Sequence, residues 1–155
     1  KHTFARKAFP LLGNLFRDFW HFLTLDFSLI FEVTSDSEFY ALWWRKAAQQ
    51  GFAPAQYTLG SLYRQGLGVT HDPQKAAKWI ERAADAGYPN AQYDIGVMYA
   101  TGEGVTKDLS TAYMWVDQAA DTKGLGPGTF WKNLDKLLTP AQRLEAEHLK
   151  KAWSE

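Results

Sequence analysis

Ala55–Gly87 reads AQYTLGSLYRQGLGVTHDPQKAAKWIERAADAG, and the pattern starts again at Ala91. Ala55, Gln56 and Tyr57 return as Ala91, Gln92 and Tyr93, a step of 91 − 55 = 36 residues. Gly60 and Tyr63 return as Gly96 and Tyr99, and the turn Gly66, Gly68, Val69 returns as Gly102, Gly104, Val105. Asp72, Ala76, Trp79, Ala83 and Ala84 return as Asp108, Ala112, Trp115, Ala119 and Ala120. A fixed period of roughly 20–50 residues marks stacked supersecondary units, and one near ~34 points to paired helices. The expected fold is therefore all-α, an α-solenoid of helix-turn-helix repeats.

Each unit should open its first helix near Pro54 or Pro89, because proline at a first helical turn loses no hydrogen bond. Gly66 and Gly102 should end these helices in the left-handed conformation. Ala55, Leu59, Leu62 and Tyr63 share one face, as do Ala91, Ile95, Met98 and Tyr99, and that face should be buried. Gly60 and Gly96 sit inside the helices, where glycine costs about 1 kcal/mol against alanine. A close crossing by the neighbouring helix is the expected compensation. The second helix of each unit should start at Asp72-Pro73 and at Asp108, an aspartate N-cap. Its inner face would be Ala76, Trp79, Ala83 and Ala84, closed by Gly87.

The run A-Q-Y-x-L-G-x-L-Y-x-x-G-L-G-V-x-x-D-x-x-K-A-x-x-W-x-x-x-A-A-x-x-G resembles a Sel-1-like repeat, a relative of the tetratricopeptide repeat. The resemblance implies an α-solenoid used by bacteria as an adaptor for other proteins. It implies no shared catalytic residues and leaves the location open, bacterial periplasm or cytoplasm. An adaptor or regulator, or an immunity protein against a secreted effector, are the uses it implies. The competing reading is an enzyme: some Sel-1-like proteins are associated with penicillin binding and β-lactam hydrolysis, but their repeats are stapled by disulfides and this chain has no cysteine.

At 155 residues and 46% hydrophobic, the chain holds enough apolar material for one domain, residues 1–155, with its own core. Lys+Arg and Asp+Glu balance at 17 each, which argues against the basic stripe of a nucleic-acid binder. The chain opens at Lys1 without methionine, as a trimmed or processed product would.

Residues 1–35 are rich in phenylalanine, but Arg17, Asp18, Asp26 and Glu32 interrupt the apolar run. It falls short of the ~18–20 uncharged residues a transmembrane span needs. Leu12-Gly13-Asn14-Leu15-Phe16-Arg17 matches Leu59–Arg64, and Val33-Thr34, Asp36, Trp43, Ala47, Ala48 and Gly51 match Val69 to Gly87. Residues 7–51 thus read as an atypical first repeat with an insertion over about 20–31. The insertion fits either a strand or a helical face, and it serves either as an N-terminal cap or as an exposed apolar surface. In the second case Trp20, Phe22, Phe27 and Phe31 are the candidates for self-association, most simply as a homodimer with twofold symmetry.

After the repeats at 52–87 and 88–121 the period breaks, and 122–128 reads as a linker. Its glycines lack the preceding strand and the Gly-Lys-Ser/Thr of a phosphate loop. Capping helices follow in 129–155: one over Phe130–Leu138, and one over Ala141–Trp153 with Leu144, Leu149 and Trp153 facing inward.

The four histidines, His2, His21, His71 and His148, show no metal-ligand spacing, and no nucleophile motif occurs. No metal and no cofactor is expected. Glu81, Asp85, Asp94, Glu103 and Asp117 read as solvated surface charges. Binding should then fall on residues of the first helices, which in the resembling family line the concave surface: Gln56, Tyr57, Ser61, Arg64, Gln92, Tyr93, Asp94 and Val97. Tyrosine and arginine are favoured anchors for a protein partner.

Overall fold

The computed structural model describes residues 36–123 and 128–154. Those residues form seven α-helices and no strand. They are α1 (Asp36–Gln49), α2 (Ala53–Gln65), α3 (Pro73–Asp85), α4 (Pro89–Thr101), α5 (Leu109–Lys123), α6 (Thr129–Leu137) and α7 (Pro140–Ser154). None of them is long and apolar enough to cross a membrane.

The helix ends follow from the residues that mark them. Asp72 caps α3, its carboxylate accepting from the Lys75 backbone N–H at 2.9 Å. Asp108 does the same for α5, accepting from Ser110 N–H at 3.0 Å and from the Thr111 hydroxyl at 2.6 Å. Gly66 and Gly102 close α2 and α4 at φ 69° and 80°, their N–H groups returning to Leu62 O and Met98 O. An L side chain there would be strained.

Close approach explains the two internal glycines. A Cβ on Gly60 would lie 2.5 Å from Ile80 Cγ1, and one on Gly96 would lie 2.6 Å from Val116 Cγ2. The two helices of a repeat therefore touch backbone to side chain. The second glycine of each turn does the same between repeats: a Cβ on Gly68 would meet the Ser37 carbonyl at 1.9 Å, and one on Gly104 the Pro73 carbonyl at 2.1 Å. Each turn is seated on the start of the preceding repeat's second helix.

One core runs through α1 to α5 and on to α7. It holds Ala55, Leu59 and Tyr63, then Ala76, Ala77, Ile80, Ala83 and Ala84, then Ala91, Ile95 and Met98, ending on Trp115 and Ala146. Trp79 is only half-buried, with the Arg82 guanidinium 4.7 Å from its ring centre, and Ile80 takes the core position beside it. Trp115, at the same place in the next repeat, is buried because Trp153 packs edge-on against it at 5.8 Å.

The C-terminal helices begin one residue earlier than the proline and glycine signals indicate, and α5 runs on to Lys123, past Ala120. The inward face expected for α7 holds for Trp153, which packs on the core, and is corrected for its two leucines. Leu144 is 54% exposed and Leu149 is exposed too, while Ala146 is the buried residue, small enough to bring α7 close to α5. Of the atypical first repeat only α1 is described, and it carries the predicted Trp43, Ala47 and Ala48, with Gly51 at φ 85° matching Gly87 at φ 80°. The insertion over 20–31, with Trp20, Phe22, Phe27, Phe31 and the homodimer, lies outside the described residues, as do linker residues 124–127.

Candidate functional site

The faces of α2 and α4 that leave the core meet along the junction of the two repeats. On α2 they bring Tyr57, Ser61 and Arg64 to the surface, and on α4 Tyr93, Asp94 and Val97. Tyr57 donates its hydroxyl to Asp94 Oδ2 at 2.9 Å, and its ring lies 5.3 Å from that of Tyr88. Arg64 donates from Nε to Glu103 Oε1 at 2.8 Å, with Nη1 3.9 Å from Asp94. Ser61 donates to the Tyr57 carbonyl at 3.1 Å, within its own helix. Tyr93, 40% exposed, packs edge-on against Phe130 at 5.8 Å, and Val97 is half-buried.

Gln56 and Gln92 do not belong to this surface. They are 8% and 0% exposed, and each donates its amide to the end of the preceding helix, Gln56 to Ala48 O at 3.2 Å and Gln92 to Ala84 O at 3.4 Å. Helix ends leave carbonyls short of intrahelical partners, and in each repeat the glutamine adds a second donor to a carbonyl that also accepts from the turn glycine, Gly51 on Ala48 and Gly87 on Ala84. Their place in the repeat is structural.

The acidic residues are likewise more engaged than a solvated face implies. Besides Asp94 and Glu103, Glu81 accepts from the Tyr99 hydroxyl at 2.8 Å. Asp117 accepts from Trp131 Nε1 at 3.1 Å and from Lys150. Arg45, Glu81 and Asp117 occupy one position of the repeat, and Arg45 donates to the Tyr63 hydroxyl at 3.2 Å. At each junction this position reaches a polar group on a following helix, Arg45 as a donor and Glu81 and Asp117 as acceptors. Glu103, from sequence a solvated charge and not a binding residue, joins the surface together with Tyr88 and Phe130. Glu103 stands between the invariant turn positions Gly102 and Gly104, where the first copy has Leu67, so its variability was the available signal.

The electrostatics are those of hydrogen-bond donors held neutral. Burial first, and then the Asp94 carboxylate, push the Tyr57 phenol up to about 12. Burial followed by Asp117 and Asp135 does the same for Tyr113, also to about 12, and burial with Glu81 raises Tyr99 further. A phenol so placed donates a hydrogen bond at neutral pH. Among the described residues no group of three or more His, Cys, Asp or Glu side chains could hold a metal ion. The surface offers fixed aromatic rings and fixed charges to whatever lies against it.

The Sel1 repeat family model matches residues 41–52, 53–88 and 89–121, more than half of the chain. The crystal structure of a protective antigen present in uropathogenic Escherichia coli strains, displaying an SLR fold, superposes with a TM-score of 0.70 at 35% identity. That match covers 81% of this chain and 28% of the antigen. A Sel1 repeat protein from Oxalobacter formigenes matches with a TM-score of 0.54 and 35% identity, over 55% of this chain and 35% of the other. The chain thus spans about a third or less of each solved relative. No curated protein matches it.

Proposed function

The chain belongs to the Sel1 repeat family, and from that premise we propose that the α2–α4 face binds a protein partner, making the chain a non-enzymatic adaptor, regulator or immunity-type module. Sel1 repeat proteins are generally protein-interaction modules, and the repeats are typically non-catalytic. The observation that carries the reading is the chain of contacts from Tyr57 to Asp94 and from Arg64 to Glu103, which crosses from one repeat to the next. Side chains already fixed by their own hydrogen bonds lose less freedom when a partner arrives, so a surface of this kind binds with a smaller ordering cost. Arg64 and Tyr57 are also of the types that dominate interface energetics. Tyr57, Ser61, Arg64, Tyr93, Asp94 and Val97 make up the proposed contact set, with Glu103 and Tyr88 added and Gln56 and Gln92 removed.

The test is affinity capture from the parent cell with the wild type and an Arg64→Glu/Asp94→Arg double variant, with thermal melting as the folding control. The expected result is a folded variant that loses a partner the wild type retains. A folded variant with an unchanged set of partners overturns the proposal.

A further inference from the structure

The helix α6 is attached to the repeats in a different way from every other described helix. Its buried Leu134, with Leu138 just past its end, forms a small cluster with Ala112, bordered by Tyr99, Ala100, Leu109, Tyr113 and Phe130. That cluster touches the main core only through Tyr99 and Tyr113, which border both, whereas α7 contributes Ala146 and Trp153 to the main core itself. The main core at the end of the solenoid is thus covered by α7, and α6 covers the smaller cluster beside it. Around the cluster, α6 lays aromatic rings on the repeat surface: Phe130 against Tyr93 at 5.8 Å, and Trp131 against Tyr113 at 5.1 Å. Its polar ties include Trp131 to Asp117, the Tyr113 hydroxyl to Asp135, and Arg143 of α7 to both the carboxylate and the carbonyl of Asp135, at 3.2 and 2.6 Å.

Tyr93 is the repeat equivalent of Tyr57, a member of the proposed partner surface. Phe130 of α6 therefore already covers one end of that surface. We propose that α6 is a displaceable strap: it fills a helix-sized groove on α4 and α5 that a partner's amphipathic helix takes over. The partner helix is defined by what the groove now holds, adjacent aromatic residues with a leucine one turn on and a second leucine just past the helix end, in the order of Phe130, Trp131, Leu134 and Leu138. Segments with few buried contacts open locally without unfolding the whole, and an apolar helix laid into a groove is a recurrent mode of recognition. A partner helix and α6 compete for the same side chains, so binding must follow or drive release of α6. The partner's identity as a protein rests on the reading of the repeats as an interaction module, whereas release of α6 is measurable with no partner present.

Two measurements on the full chain test the proposal. In native-state hydrogen exchange, the hydrogen-bonded amides of residues 132–137 are expected to exchange at least tenfold faster than those of α4 and α5, through an opening that leaves α4 and α5 protected. Exchange of α6 only together with α4 and α5 overturns the strap. In the second, Leu134→Glu releases α6, and a synthetic peptide of residues 128–139 is the probe. The variant is expected to keep the thermal transition of the repeats and to bind the peptide at least tenfold more tightly than the wild type, whose own α6 competes. Loss of that transition makes α6 an essential cap and overturns the proposal, as does peptide binding no tighter than to the wild type. These outcomes are separate from capture through Arg64 and Asp94, so either reading can fail alone.

Discussion

The two complete repeats and the C-terminal pair of helices solve the same packing problem in opposite ways. In α2 to α5 the backbone does much of the work: Gly60 and Gly96 admit Ile80 and Val116, and Gly68 and Gly104 admit the carbonyls of Ser37 and Pro73. Helix spacing is then set by the absence of side chains and recurs with the period. In α6 and α7, apart from the close contact at Ala146, the joints are made by large rings and long charged arms, Trp131 on Tyr113, Trp153 on Trp115, Lys150 on Asp117 and Asp121. Such joints tolerate adjustment, and they carry no period. The difference teaches that stability is distributed in the repeats and local at the C-terminal end.

The sharpest way to break this contrast is to place a Cβ at one glycine of each region. Gly104→Ala combines a left-handed backbone with a clash against a carbonyl, so unfolding by denaturant should show a loss of about 3 kcal/mol. Gly128, at the start of α6, has ordinary φ and open space for a Cβ, so Gly128→Ala should cost under about 1 kcal/mol, the scale of an N-cap preference. Equal losses would contradict the division.

The next effect tests the buried glutamines. Replacing Gln92 by leucine keeps the volume but removes the side-chain donor to the Ala84 carbonyl, which then keeps the Gly87 N–H at 2.9 Å, and the loss of one buried hydrogen bond should cost about 1 kcal/mol in the same measurement. A change near zero would return Gln92 to the surface set.

That position shows where the sequence could be read and where it could not. Repeat, helix order, aspartate caps and the glycine close approaches were all legible, because a recurring small residue or cap has few other physical reasons to recur. Gln56 and Gln92 were misjudged because residue type was weighed above recurrence: a polar residue returning at the same step is held by the repeat, as Ala and Gly are. Leu144 and Leu149 were misjudged for the converse reason, since apolar type alone was taken for burial where no period supports it. Trp79 and Trp115 share a position yet differ in burial, and only α7, outside the repeat, decides which is covered. Glu81 and Asp117 gave no sign of their partners, which lie 18 residues on at Tyr99 and 33 on at Lys150.

A smaller effect comes from the tyrosines that tie one helix to the next. Tyr57 and Tyr113 have phenol pKa values raised from 10.0 to about 12, and Tyr99 is raised as well. A raised phenol means the folded state favours the neutral form. Its contribution is complete below pH 10 and is lost as pH climbs from 10 through 12. The melting temperature should fall across that window, and Tyr57→Phe with Tyr99→Phe should make the fall shallower. The same slope in both proteins would place the sensitivity elsewhere.

The smallest effect sharpens the comparison most directly, because it separates local from global stability at one exposed pair. Arg143 on α7 meets Asp135 on α6 at 3.2 Å, with side chains 47% and 26% exposed, and it also donates to the Asp135 carbonyl at 2.6 Å. Exposed ion pairs contribute about 0–1 kcal/mol, so Arg143→Ala should shift the global denaturant midpoint hardly at all. If α6 is held locally, though, even that loss acts on a small opening free energy rather than on the stability of the repeats. Amide exchange across residues 132–137 should rise up to about fivefold, since a factor of ten corresponds to about 1.4 kcal/mol, while α4 and α5 stay unchanged. A rise shared equally by α4, α5 and α6 would mean that the C-terminal helices open only with the repeats, and the distinction between the two regions would fall.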